Sequence, residues 1–168
     1  MEILLPLQTT TGGTNNCYDP SLGNANVSDN VTAVVDWYGP TNFCVMDKQF
    51  KESGIREKVQ WVEIYNTKYC FPSKYLGHNI SEVPDLCKQA APTTYITSEC
   101  PSFFILHGTL DSIIPTQQSV DLAASIIKEI GQDKVTLTLL DGAGHGGVHV
   151  TLLNETIHYV FYSEMLQI

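Results

Sequence analysis

The sequence predicts an α/β fold of about three parallel strands with flanking helices, and three stretches predict it. "VTAVVDWY" (31–38), "SFFILHG" (102–108) and "KVTLTLLDG" (134–142) are apolar and rich in β-branched or aromatic residues. Each is too short for a helix and is bounded by turn residues, which marks a buried strand. Helical patterns follow the second and third strands, and alternating strand and helix means parallel strands joined by right-handed crossovers.

The elements follow in order. Residues 9–30, "TTTGGTNNCYDPSLGNANVSDN", are rich in Gly, Asn, Ser and Thr and read as a long loop. The first strand then closes at "GPTN". From Phe43 to Thr97 the pattern is irregular and aromatic-rich, with short helices expected at "IREKVQWVEIY" and "VPDLCKQAA" and with Pro72, Pro84 and Pro92 as breakers. Residues 43–100 therefore read as an inserted cap of helices and loops. After the second strand, "TQQSVDLAASIIKEIG" is an amphipathic helix with Val120, Ala123, Ala124, Ile127 and Ile130 on one face and Gly131 past its end. After the third, "VHVTLLNETIHYVFYSEML" carries the stripe Val150, Leu153, Ile157, Val160 and Phe161 of a closing helix. One domain over residues 1–168 accounts for the whole chain.

Composition narrows the partners. The 168 residues carry 9 basic against 18 acidic side chains, a net charge of -9, and no Lys/Arg cluster offers phosphates a landing site. Nucleic acid and anionic membrane surfaces are therefore not expected partners. No apolar run approaches the roughly 20 residues that span a bilayer. The opening "MEILLPLQ" lacks the basic n-region and small-residue cleavage site of a signal peptide. Cys17, Cys44, Cys70, Cys87 and Cys100 are widely spaced, with no C-x-x-C; they read mainly as free thiols, one or two disulfides being the alternative. Sequons at Asn26, Asn30, Asn79 and Asn154 matter only in a eukaryotic secretory context.

The chemistry gathers at two strand ends. "FFILHGTLDSIIP" ends in a turn carrying Asp111, and "LLDGAGHGG" runs into a glycine-lined loop holding His145. In open α/β sheets functional side chains collect beyond the carboxyl ends of the strands. An acid that orients a histidine tautomer is the supporting pair of a nucleophilic hydrolase. Taken singly, Asp111 is a turn residue and His145 a loop histidine; together, in this order, they read as a catalytic pair. Asp36, past the first strand, is the rival acid, while Asp141 is too close in sequence to His145. His145 and His149 are separated by glycines and make no helical zinc face, so no metal or other cofactor is expected. His107 reads as structural, and His78 and His158 as surface or packing residues.

These segments resemble the C-terminal half of an α/β-hydrolase of the bacterial esterase/lipase family that includes hormone-sensitive-lipase-like and feruloyl-esterase-like enzymes. The resemblance runs through "VTAVVDWYGPTNF", "APTTYI", "PSFFILHGTLDSIIPTQQSVDLAASI" and "LLDGAGHGG", the "HGTLDSIIP" and "GAGHGG" pieces being the specific ones. It implies a partial α/β-hydrolase fold, an ester substrate, Asp111 as triad acid and His145 as triad base. The family's nucleophile sits in a G-x-S-x-G elbow, and no glycine of this sequence has Ser or Cys two residues later. Ser102, Ser112, Ser119 and Ser125 lack the glycine neighbours an exposed elbow needs. The resemblance therefore implies a truncated serine hydrolase of the carboxylesterase or lipase type that begins just past its nucleophile. The alternative is a non-enzymatic remnant acting as a self-associating or partner-binding module. In either case the strand at residues 31–38 would lack its neighbour, and Val31, Ala33, Val34 and Val35 include no edge-protecting Lys or Pro. A homo-oligomer joined through residues 31–38 is expected, unless "MEILLPLQ" folds back over that edge.

Overall fold

The computed structural model describes residues 33–146. Its sheet has three strands in the order β1-β2-β3, namely β1 (Ala33–Trp37), β2 (Ser102–Gly108) and β3 (Val135–Leu140), and both pairings are parallel. Helices α1 (Met46–Glu52), α2 (Phe71–Leu76) and α3 (Pro84–Ala90) lie between β1 and β2, and α4 (Gln117–Ile130) joins β2 to β3. The three expected strands and the expected crossover helix are all present. The expected loop at 9–30, the "MEILLPLQ" segment and the closing helix at 148–166 lie outside the described residues.

Strand alternation divides the sheet into two faces. The register sets Asp36 beside Ile105 and Ile105 beside Leu137, so Val34, Phe103, Ile105, Val135 and Leu137 share a face. Leu122, Ala123 and Ile126 of α4 pack on it. Burying Leu122 and Ile126, both 0% exposed, stabilises the crossover by roughly 1.5–3 kcal/mol each. The buried stripe of α4 is Ser119, Leu122, Ala123 and Ile126, whereas Ala124 is exposed and Ile127 and Ile130 are half-buried. The predicted stripe was thus rotated by about one position. The sheet contacts the helix through Leu122 and Ile126, and Ile127 and Ile130 only border that core.

The connection between β1 and β2 has a core of its own, in which Phe43, Met46, Phe50, Ile55, Val62, Tyr65, Ile80 and Cys87 meet Ile114. Helix α2 begins with a Pro in its first turn and ends at Gly77, whose φ of +73° suits glycine. Helix α3 also starts on a Pro and matches the expected helix at "VPDLCKQAA". The helix expected at "IREKVQWVEIY" does not form. Only a 3-10 turn, Ile55–Glu57, is present there, followed by irregular chain. The cause is tertiary: the Glu63 N–H donates to Ser112 O (2.8 Å), and the Tyr65 and Asn66 N–H groups donate to the two oxygens of Asp47 (both 2.8 Å). Amides engaged in this way cannot close helical bonds.

Candidate active site

Two strand-end loops make the site. After β2 the chain turns at Gly108, and the Asp111 carboxylate is held by its own loop: Oδ1 accepts the N–H groups of Ile113 and Ile114, both at 2.8 Å. After β3 the chain passes Gly142 and Gly146, with φ of +73° and +75°, which carry the His145 loop through backbone conformations that suit glycine. The two loops are laced together. Leu110 N–H donates to Ala143 O (2.8 Å), Thr109 N–H to Leu140 O (3.0 Å), and Gly142 N–H to Thr109 Oγ1 (2.9 Å).

This lacing brings Asp111 and His145 together: Asp111 Oδ2 lies 2.8 Å from His145 Nδ1. The carboxylate is fully buried and the imidazole side chain is 33% exposed. Burial by itself would raise the Asp111 carboxyl, but the bonds from His107, His145 and the Ile114 amide outweigh it and bring it down to about 2. At neutral pH the carboxylate is therefore ionised and can only accept. The proton between the two residues sits on His145 Nδ1, so in the neutral ring the Nε2 lone pair is the one available as a base. The Tyr38 ring leans on the imidazole at a centroid distance of 5.1 Å. Tyr38 has a φ of +48°, the one positive φ of a non-glycine residue among those described. Burial, and then the Asp111 charge, push its phenol up, so it stays protonated.

The rival acids lie elsewhere. Asp36 is fully buried, its Oδ1 accepts the Gly39 N–H (3.0 Å), and its Oδ2 has no hydrogen-bond partner among the described residues. Desolvation raises its carboxyl to about 6 against the opposing pull of His107 and the Gly39 amide. Asp141 is exposed and accepts from Thr109 Oγ1 (3.2 Å), a loop clasp on the surface. Of the serines considered above, Ser119 is fully buried against His107 and Ser125 bonds back to Asp121 O (2.7 Å). Ser119 is thereby closed to a substrate, and the Ser125 hydroxyl is engaged by its own helix, away from the Asp111–His145 pair. His149 lies outside the described residues, and among those described no group of three or more His, Cys, Asp or Glu could hold a metal ion. No helix of the described residues is long and apolar enough to cross a membrane.

Sequence reasoning missed two contacts of the site and one tie that holds its elements together. His107 Nε2 is 3.2 Å from Asp111 Oδ2, a contact foreshadowed only by its i,i+4 spacing from Asp111. Tyr38 reaches the site because β1 and β2 run side by side, with Tyr38 N–H donating to Leu106 O (2.9 Å). Gln118 ties α4 to the connection after β1: its Oε1 accepts the N–H groups of Thr41 (2.8 Å) and Asn42 (2.6 Å), and its amide nitrogen bonds Gln49 Oε1. A buried glutamine leaves no trace in a hydrophobicity pattern.

The described sheet is parallel, with an acid and a histidine on the loops after adjacent strands, and the comparisons show the α/β-hydrolase fold. Residues 6–126 match the BD-FAE family model, and the chain belongs to that family of α/β-hydrolase esterases. It is 39% identical over 62 residues to esterase LipQ of Mycobacterium tuberculosis, a match covering 37% of this chain and 14% of that protein. It is 30% identical over 67 residues to esterase LipC of the same organism, covering 40% of this chain and 16% of that one. These matches span less than a fifth of the curated relatives. The fold is shared with a bifunctional GH43-CE protein of Bacteroides eggerthii (TM-score 0.66, 22% identity, 93% of this chain and 20% of that chain). It is also shared with an acetyl ester-xyloside bifunctional hydrolase of Caldicellulosiruptor lactoaceticus (TM-score 0.59, 19% identity, 94% of this chain and 51% of that chain).

Proposed function

We propose that the chain supplies the acid and the general base of a serine carboxylesterase. Asp111 is the triad acid and His145 the triad base, and the nucleophilic serine is contributed by sequence outside these 168 residues. The observation that carries the reading is the 2.8 Å bond from His145 Nδ1 to Asp111 Oδ2 on a half-open imidazole, which in the neutral ring reserves Nε2 as the acceptor. In that role Nε2 takes the serine proton as the hydroxyl attacks the ester carbonyl. It then returns the proton to the departing alcohol, while Asp111 stabilises the imidazolium in between. Esterase relatives support the substrate class, and the absence of any G-x-S-x-G in the sequence supports an external serine. No cofactor enters the scheme.

The test is an assay of the 168-residue chain on p-nitrophenyl acetate, with a fluorophosphonate probe in parallel. The expected result is no turnover that changes on His145→Ala and no labelled serine. A labelled serine within the chain, lost with His145→Ala, would overturn the external-serine reading.

One observation favours a second role, self-association. Strand β1 has a neighbour on one side only among the described residues, and Val34 and Val35 carry no charge that would discourage pairing. In this reading two copies join their residues 31–38 antiparallel about a two-fold axis.

A further inference from the structure

Behind the Asp111–His145 pair lies a second histidine bonded to the same carboxylate, and nothing in the proposed reaction uses it. His107 is the last residue before Gly108 in β2, on the α4-facing side of the sheet, and it is 0% exposed. Its Nε2 lies 3.2 Å from Asp111 Oδ2 and 3.0 Å from the Ile114 carbonyl oxygen. Both of those atoms only accept, so Nε2 carries a proton and is shared between them. In the neutral ring Nδ1 is then an acceptor, and Ser119 Oγ, 2.7 Å away, donates to it. Ser119, His107 and Asp111 thus form a Ser–His–acid chain running parallel to the site. Ser119 is 0% exposed, so no ester can reach its hydroxyl.

The geometry shows what this chain does instead. Asp111 Oδ1 is fixed by two amides of its own loop, while Oδ2 is left to face His145. His107 approaches Oδ2 from the buried side and grips Ile114 O, the carbonyl of the residue whose N–H holds Oδ1. One imidazole therefore braces both the carboxylate and the loop that presents it. Ser119 fixes the ring from α4, the helix packed on the sheet. The Tyr38 ring touches both imidazoles, His107 at 6.1 Å edge-on and His145 at 5.1 Å.

We infer that His107 is a positioning residue that holds Asp111 Oδ2 where His145 Nδ1 can bind it, and so fixes the His145 tautomer. This rests on the reading of Asp111 and His145 as acid and base, and it adds that the acid is incomplete without a second, non-reacting histidine. The bond from His107 also withdraws charge from Oδ2. Two effects therefore compete when it is removed: loss of placement weakens the bond to His145, while the freed lone pair strengthens it. Placement prevails, because Asp111 Oδ2 has no other buried donor among the described residues.

The experiment is 15N NMR of the histidine rings at neutral pH, on the parent chain and on His107→Leu, His107→Gln and Ser119→Ala. The parent should show His145 as a fixed Nδ1–H tautomer with a low-field, slowly exchanging Nδ1 proton. In His107→Leu that proton signal should vanish and His145 should relax to a mixture of tautomers. His107→Gln, whose amide N–H can reach toward Oδ2, should restore most of the signal. Should His107→Leu fail to fold, Ser119→Ala decides, since it frees the His107 ring without emptying the site; a weakened His145 Nδ1 proton signal supports the inference. A His145 tautomer unchanged in His107→Leu, or in Ser119→Ala if that variant has to serve, overturns it. A parent chain without the Nδ1–H tautomer would instead sink the acid–base reading itself, so the two failures are distinguishable.

Discussion

Gly108 and Ala143 are pressed together where the two site loops cross. A Cβ placed on Gly108 would lie 2.3 Å from the Ala143 carbonyl oxygen and 2.7 Å from its carbon. Ala143 is two residues before His145, and Gly108 is three before Asp111. The absence of a side chain at Gly108 therefore sets the closeness of acid and base. Gly108→Ala must push the His145 loop away, because the obstructing atoms are backbone. The expected loss is about 1–3 kcal/mol, as for overpacking in a core, measured by urea denaturation. Weakening of the His145 Nδ1 bond should accompany it. A variant as stable as the parent would show that the crossing is looser than described.

The depressed Asp111 carboxyl carries a signature in acid. Its acidity in the fold, about 2, lies below the ordinary value of 3.8, so ionised Asp111 stabilises the folded state. A lowered carboxylate contributes fully above its unfolded value, and the contribution is lost as pH falls from about 4 to about 2. At about 1.4 kcal/mol per unit the effect is roughly 2–3 kcal/mol. Asp111→Asn should therefore be less stable than the parent at pH 7, with the gap closing below pH 4. A gap independent of pH would assign the loss to packing.

Asp36 runs the other way. Its carboxyl is raised from 3.8 to about 6, so between those values the folded chain holds a proton that the unfolded chain has released. Stability from this group falls as pH rises from about 4 to about 6, by roughly 3 kcal/mol in all. Asp36→Asn keeps an oxygen for the Gly39 N–H and removes the buried charge. It should lack that decline and exceed the parent in stability at pH 8 by about 1–3 kcal/mol. Chemical denaturation of both chains at pH 4, 6 and 8 provides the check. An Asp36→Asn chain less stable at pH 8 would mean that the charge has a partner.

The self-association reading concerns β1. Light scattering of the purified chain at micromolar concentration should give twice the monomer mass. A Lys replacing Val35 in the middle of β1 should return it to monomer by charging the open edge. A monodisperse monomer of the parent chain would exclude the paired edge.

How much of this was legible in the sequence depends on the kind of force involved. The strands and α4 announced themselves because β-branched runs and a helical period reflect burial of apolar surface, the main force that drives folding. That Asp111 and His145 come together was legible from their places at strand ends. The stretch at 55–65 misled because its apolar spacing also suits irregular chain, and the amides of Glu63 and Tyr65 are claimed by Ser112 and Asp47, residues distant in sequence. His107, Ser119 and Gln118 were opaque for the same reason. Their roles come from single hydrogen bonds across elements, which no local pattern encodes.

If His145 Nε2 is the base that activates a serine supplied from outside this sequence, a chain that includes such a serine should hydrolyse esters. The decisive assay uses a chain that carries a G-x-S-x-G strand–turn–helix ahead of residue 1, with p-nitrophenyl acetate as substrate, with and without His145→Ala. This longer chain should be active, and a fluorophosphonate should label the elbow serine. His145→Ala should lower its kcat by about three orders of magnitude or more. Full activity retained in His145→Ala would contradict the assignment of His145 as the base.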